Sequence, residues 1–126
     1  MSEQVLCDTC VLIDFVNGRS RQLADLHSQN IPLFINPVIE LELLQGARNK
    51  VEMQKLEKIV AMFHHLEMPP EVFNVARQLI KQYSLSHGLR LADALIASTA
   101  LVYGLELLTI NQKDFRFIPE LVLCAK

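Results

Sequence analysis

The chain has 126 residues, 51% of them hydrophobic and 21% charged, with a formal net charge of -2. That length fits one domain of roughly the modal size, able to bury a core without staples. The composition excludes a disordered chain, and the charge gives no global attraction to nucleic acid, so a polyanion would have to be met by a local basic patch or through bound metal. The first residues, MSEQ, are polar and acidic and predict no signal peptide, and the longest charge-free apolar run, Ala94 to Leu105, falls short of the ~18 residues that span a bilayer. Three cysteines, an odd number without a secretory signal, predict free thiols in a reducing, cytoplasmic setting.

In chain order, Gln4 to Asp8 reads as a strand and Thr9 to Asn17 as a helix stopped by Gly18. Arg19 to Ser28 predicts a more polar helix, and Ile31 to Ile35 a second short strand. Asn36 then caps a helix with Pro37 in its first position, where a missing N–H costs nothing, and VIELELLQGA carries that helix toward Arg48. Asn49 caps the next, Lys50 to His64, whose apolar residues keep a helical period. HLEM, before Pro69-Pro70, predicts a third short strand; Pro70 opens a helix that stops near Gly88. Leu91 to Tyr103 is a helix apolar on almost every side, with Gly104 after it. Glu106 to Thr109 predicts a strand, NQKDF a turn, and Leu121 to Cys124 a last short strand. Short apolar strands alternating with helices argue a helix-rich α/β fold with a parallel sheet, in a single domain over residues 1–126.

An acid at the end of the first strand, with a helix opening behind it, sits where open α/β sheets bind ligands. Asp8 holds that place, and Glu42, Asp93 and Asp114 are the downstream acids that could join it. Each has an ordinary explanation. Asp8 can cap a helix, Asp93 can be a first-turn acid favoured by the helix dipole, and Asp114 can be a solvated turn residue. Periodicity alone does not separate Glu40 from Glu42. Yet Asp93 lies among Leu91, Ala92, Ala94, Leu95, Ile96 and Ala97, and a buried carboxylate needs a partner. Four acids close in space need a counter-charge, which Mg²⁺ or Mn²⁺ supplies through oxygen ligands. Carboxylate-held metals recur in phosphodiester hydrolysis.

DTCVLIDF, ELLQGARN, LADALIASTAL and LTINQKDF, in that order over nearly the whole chain, resemble the successive motifs of PIN-domain proteins, and most nearly the VapC-type toxins of toxin–antitoxin pairs. The resemblance implies a small parallel sheet between helices and a metal-dependent endoribonuclease. It places Asp8, Glu42 and Asp93 at the acidic metal positions, chooses Glu42 over Glu40, and gives Asp114 the fourth position, with Thr109 and Asn111 as polar support. It also implies an RNA substrate, a homodimer and an antitoxin that covers the cleft. The sequence departs from the pattern two places after Asp8: a small hydroxyl residue is usual there, and this chain has Cys10, with Thr9 retained. A thiol is a weaker donor and a softer ligand.

Two rival readings stand beside this one. Cys7 and Cys10 form a C-x-x-C between a strand and a helix, where a thiol oxidoreductase would carry its redox pair. A PIN-like module that binds without cutting is the other. Basic residues near the acids, Arg19, Arg21, Arg48, Lys50, Lys113 and Arg116, are candidates to hold RNA phosphates, although each is also an ordinary solvated side chain.

Overall fold

A computed structural model describes residues 4–19 and 21–124. The frame is a four-stranded sheet in the order β3-β2-β1-β4, built from β1 (Val5–Cys7), β2 (Leu33–Ile35), β3 (His64–His65) and β4 (Glu106–Leu108). Every pairing is parallel; Val5 lies against both Leu33 and Glu106. All strands therefore end on one edge, and Asp8, Asn36 and Thr109 each follow a strand there. The three residues of β1 are buried on both faces, as an interior parallel strand requires.

The helices are α1 (Thr9–Val16), α2 (Arg21–Ser28), α3 (Pro37–Gln45), α4 (Lys50–Val60), α5 (Pro70–His87) and α6 (Leu91–Tyr103). The helix-rich parallel α/β architecture expected from the sequence is the one observed. Local chemistry starts and stops the helices. Asn36 and Asn49 cap α3 and α4 by accepting the Ile39 and Glu52 N–H groups at 2.9 and 2.8 Å. Gly88 and Gly104 end α5 and α6 at φ values of +69° and +68°, a conformation that costs other residues a Cβ clash. The α6 helix buries Ala94, Ile96, Ala97, Ser98, Thr99 and Ala100 beneath α5, matching its nearly all-apolar sequence. Among the described residues no helix is long and apolar enough to cross a membrane.

Several boundaries differ from the sequence reading. The predicted helix Lys50 to His64 ends at Val60, because tertiary pairing overrides the helical period. His64 and His65 pair with Phe34 and Ile35, Leu66 N–H reaches the Ile35 carbonyl at 2.9 Å, and His65 Nε2 donates at 3.0 Å to the Val60 carbonyl, which also accepts the Phe63 N–H at 3.2 Å. Strand β3 is thus His64–His65 and not the HLEM stretch. The strand expected over Leu121 to Cys124 is reduced to one bridge, Leu107 to Leu123. The helix predicted to run toward Arg48 stops at Gln45, and the NQKDF turn contains a 3-10 turn, Gln112–Asp114. The predicted start of the second helix, Arg19, precedes α2, and Ser20 lies outside the described residues, as do Met1 to Glu3.

Candidate active site

Asp8 is 6% exposed, and both of its carboxylate oxygens accept hydrogen bonds. Oδ1 takes the Thr9 backbone N–H at 2.8 Å, the capping role the sequence allowed. Oδ2 takes the Thr109 hydroxyl at 2.7 Å and the Cys10 thiol at 3.4 Å. The same Thr109 oxygen accepts the Asn111 N–H at 3.1 Å, and Asn111 C=O accepts the Asp114 N–H at 3.0 Å. A chain of short contacts therefore runs from the end of β1, through the end of β4, to the turn that carries Asp114. Thr109 takes part in this chain through its hydroxyl, and Asn111 through its backbone.

Glu42 projects from α3 and accepts the Thr9 hydroxyl at 2.7 Å from Oε1. Its neighbour in question, Glu40, faces His65 Nδ1 at 3.8 Å on another side of the helix. The two acids that periodicity could not separate are separated by their partners.

Asp93 stands in the first turn of α6, half-buried. Its carboxyl is pushed from the ordinary 3.8 up to about 6, first by burial and then by the negative charges of Asp8, Asp114 and Glu42, against a smaller opposing pull from Arg90. It sits at a helix N-terminus, and it feels three other acids from elsewhere in the chain. The four share one electrostatic neighbourhood, but among the described residues no three His, Cys, Asp or Glu side chains are arranged to hold an ion as they stand. Mutual repulsion keeps uncompensated carboxylates apart, and Glu42 is turned to Thr9. The donor set itself is oxygen-rich and suits a hard divalent cation.

Cys10, at the position where the motif resemblance implies a hydroxyl, lies between Asp8 Oδ2 at 3.4 Å and Thr109 Oγ1 at 3.5 Å. Burial and the Asp8 charge push its thiol upward, so the sulfur stays protonated and donates. Cys7 is wholly buried in β1, and burial pushes its thiol up further. A redox pair needs an accessible thiol of low pKa, and this C-x-x-C has the opposite properties.

Sequence reasoning missed one link. Asn36, 1% exposed, donates its amide to Thr99 Oγ1 at 2.9 Å, and Thr99 donates on to the Leu95 carbonyl at 2.7 Å. This buried relay joins the start of α3 to the middle of α6, the helices that carry Glu42 and Asp93. The only local signal was a threonine inside LADALIASTAL.

The basic residues divide. Arg19 and Arg21 line a cavity of about 350 Å³ with Ile110, next in sequence to Thr109. Lys113 and Arg116 flank Asp114 in sequence and are exposed, as is Lys50 at the start of α4. Arg48 is engaged by Glu52, with Nη2 to Oε2 at 2.8 Å, so its charge is partly compensated.

The PIN domain family model matches residues 5–121. This chain belongs to the PIN domain family. As a PIN domain it is 29% identical over 120 residues to Ribonuclease VapC19 of Mycobacterium tuberculosis, covering 92% of this chain and 95% of that protein. It is 32% identical over 125 residues to Ribonuclease VapC of Rickettsia bellii, covering 93% and 92%. Its fold superposes with a TM-score of 0.75 on a chain of a toxin–antitoxin complex from Klebsiella pneumoniae, at 28% identity, covering 94% of this chain and 96% of that one. The PIN fold and the VapC-type relationship expected from the motifs are thus found.

Proposed function

We propose that this PIN domain is a VapC-like toxin: an endoribonuclease that hydrolyses RNA phosphodiester bonds with Mg²⁺ or Mn²⁺. The observation that supports the reading is that Thr9 links two of the acids, giving its N–H to Asp8 and its hydroxyl to Glu42, while the Asp93 carboxyl is pushed upward first by burial and then by the charges of Asp8, Asp114 and Glu42. The ribonuclease names of relatives that cover nearly the whole chain support the reaction class.

Asp8, Glu42, Asp93 and Asp114 are the residues that would hold the metal. A divalent ion, when bound, supplies a Lewis acid for phosphodiester hydrolysis and neutralises the developing negative charge. Thr9, Thr109 and Cys10 orient the carboxylates: Thr109 and Cys10 fix Asp8, and Thr9 steers Glu42. Asn36 and Thr99 hold the helices beneath them in register. Arg19, Arg21, Lys50, Lys113 and Arg116 are the basic residues that would bind phosphates, which would position a strand without reading it. The chain acts as a single domain, pairs with a second copy, and meets an antitoxin that covers the acidic cleft; the toxin–antitoxin complex among its structural neighbours supports that partner.

The test is cleavage of labelled RNA by purified protein. Cleavage that requires added Mg²⁺ or Mn²⁺ and stops with EDTA is the expected result, whereas undiminished cleavage after exhaustive chelation removes the metal from the mechanism. Tight RNA binding with no cleavage at any metal concentration would leave a binding module.

A further inference from the structure

A cavity of about 400 Å³ opens between α1, α3 and α4. Its apolar lining is Ile13, Val16, Leu43 and Leu56. Glu42 lines it too, so the cavity shares a residue with the acidic cluster, and whatever occupies it sits beside that cluster. Its volume falls within the usual range for small-ligand sites, about 300–1,000 Å³.

Arg48 forms part of the same lining. Its side chain is 84% exposed, yet its guanidinium is held along one edge: Nε lies 3.3 and 3.2 Å from the two Glu52 oxygens and Nη2 lies 2.8 Å from Oε2. Glu52 is anchored in turn, since Oε1 accepts the Arg48 backbone N–H at 2.8 Å and its own N–H is capped by Asn49. An ion pair this exposed contributes little to stability. Its physical effect is to fix the plane of a flat cation in the lining of a cavity that is part apolar and part charged, with Lys55 as its second cation. Glu52 occupies one donor edge and part of the charge, which makes Arg48 a poorer phosphate clamp, while the face of the guanidinium is left for stacking. Unpaired RNA bases are recognised by stacking on aromatic rings or guanidinium planes, with hydrogen bonds to their edges. The Asn17 side chain supplies an amide in the lining for such an edge.

We propose that this cavity receives an unpaired nucleobase next to the scissile phosphate, stacked on the Arg48 guanidinium, and that it sets the base preference at that position. The inference rests on the ribonuclease reading above. It differs from a phosphate-holding role for Arg48, because Arg48→Lys keeps the charge and loses only the plane.

The experiment has two arms. In the first, RNA oligonucleotides randomised around the cleaved bond are digested by wild type, Arg48→Lys and Glu52→Gln, with folding checked by circular dichroism. Arg48→Lys should flatten the preference at one flanking position and raise KM for the preferred RNA about tenfold, with a smaller change in kcat; Glu52→Gln, which only loosens the plane, should fall between. In the second, RNA carrying 2-aminopurine at successive positions is titrated into Asp93→Asn and into Asp93→Asn/Arg48→Lys, without turnover. One position should be quenched on binding, and Arg48→Lys should abolish that quench. An unchanged cleavage preference in folded Arg48→Lys overturns the proposal, as does a loss confined to antitoxin binding, which would assign the cavity to the protein partner. Should wild type cut no RNA, the ribonuclease reading fails by itself, and the 2-aminopurine arm still decides whether a base enters.

Discussion

Thr109 donates its hydroxyl to Asp8 across 101 residues of chain, at 2.7 Å. The bond joins the ends of two adjacent parallel strands and satisfies one oxygen of a buried carboxylate. Thr109→Val removes that donor while keeping the shape, and leaves Oδ2 with the longer Cys10 contact. Hydrogen bonds to charged groups contribute about 1.5–3 kcal/mol, so the variant should lose about that much in urea unfolding. Cleavage should fall by roughly tenfold, the rate equivalent of about 1.4 kcal/mol. Thr109→Ser should restore both; a fully stable Thr109→Val would mean that the Cys10 thiol alone is sufficient.

Asp93 gives the pH dependence. Its folded-state pKa of about 6 lies above the ordinary 3.8, so the folded protein binds the proton more tightly than the unfolded chain. Stability from this group is full below about pH 4 and is lost as pH rises through about 6. Because the side chain is only half-buried, solvent screening reduces the effect to about 1 kcal/mol or less. Asp93→Asn should therefore raise the melting temperature of metal-free protein above pH 6 by a few degrees, flatten its change between pH 4 and 6, and abolish RNA cleavage. Near wild-type cleavage would return Asp93 to the role of a helix-terminal acid.

Asp8 and Asp114 should respond differently to substitution. Asp8 follows directly on a central strand and is held by Thr9, Thr109 and Cys10; Asp114 ends a 3-10 turn in a surface loop. Groups on regular elements hold a geometry more tightly. Asp8→Asn should remove activity altogether, and Asp114→Asn should leave a measurable residue that excess Mg²⁺ or Mn²⁺ rescues. Metal titrations of the two variants against one RNA distinguish them. Equal, unrescuable loss would make Asp114 a full ligand.

Asn36 has two tasks that can be separated. Asn36→Ser keeps an oxygen to cap α3 and loses the amide that reaches Thr99; Asn36→Ala loses both. The cap and the buried bond each contribute about 1 kcal/mol, so the urea midpoints should fall in the order wild type, Ser, Ala. The half-saturating metal concentration should rise in both variants, because α3 and α6 carry Glu42 and Asp93. A stability loss with unchanged metal response would confine Asn36 to the fold.

What could be read in the sequence was what short-range chemistry decides. Asn36-Pro37 marks a helix start because a cap and a missing N–H act within one turn, and Gly104 marks a helix end for the same local reason. The second bond of Asn36 goes to Thr99, 63 residues away, and no local pattern announces it. His64 failed differently: Ile59, Val60 and Phe63 continue the helical period, and only pairing with β2 turns the chain into a strand. For the acids, spacing left Glu40 and Glu42 equal, and likeness of motif chose between them. In the structure the two differ in partner, with Thr9 beside Glu42 and His65 beside Glu40.

The order β3-β2-β1-β4 also has a consequence for synthesis. The strand that precedes Asp8 is made before both of its neighbours, and the second of them, Glu106–Leu108, is made after every other described strand. Until that segment has left the ribosome, β1 has one open edge, and neither Thr109 nor Asp114 has emerged to join Asp8. At roughly 5–20 residues per second, this interval lasts on the order of ten seconds. A growing chain therefore lacks both the Thr109 contact to Asp8 and Asp114 until the segment after β4 has emerged, and the acidic cluster is not assembled at the ribosome exit before then.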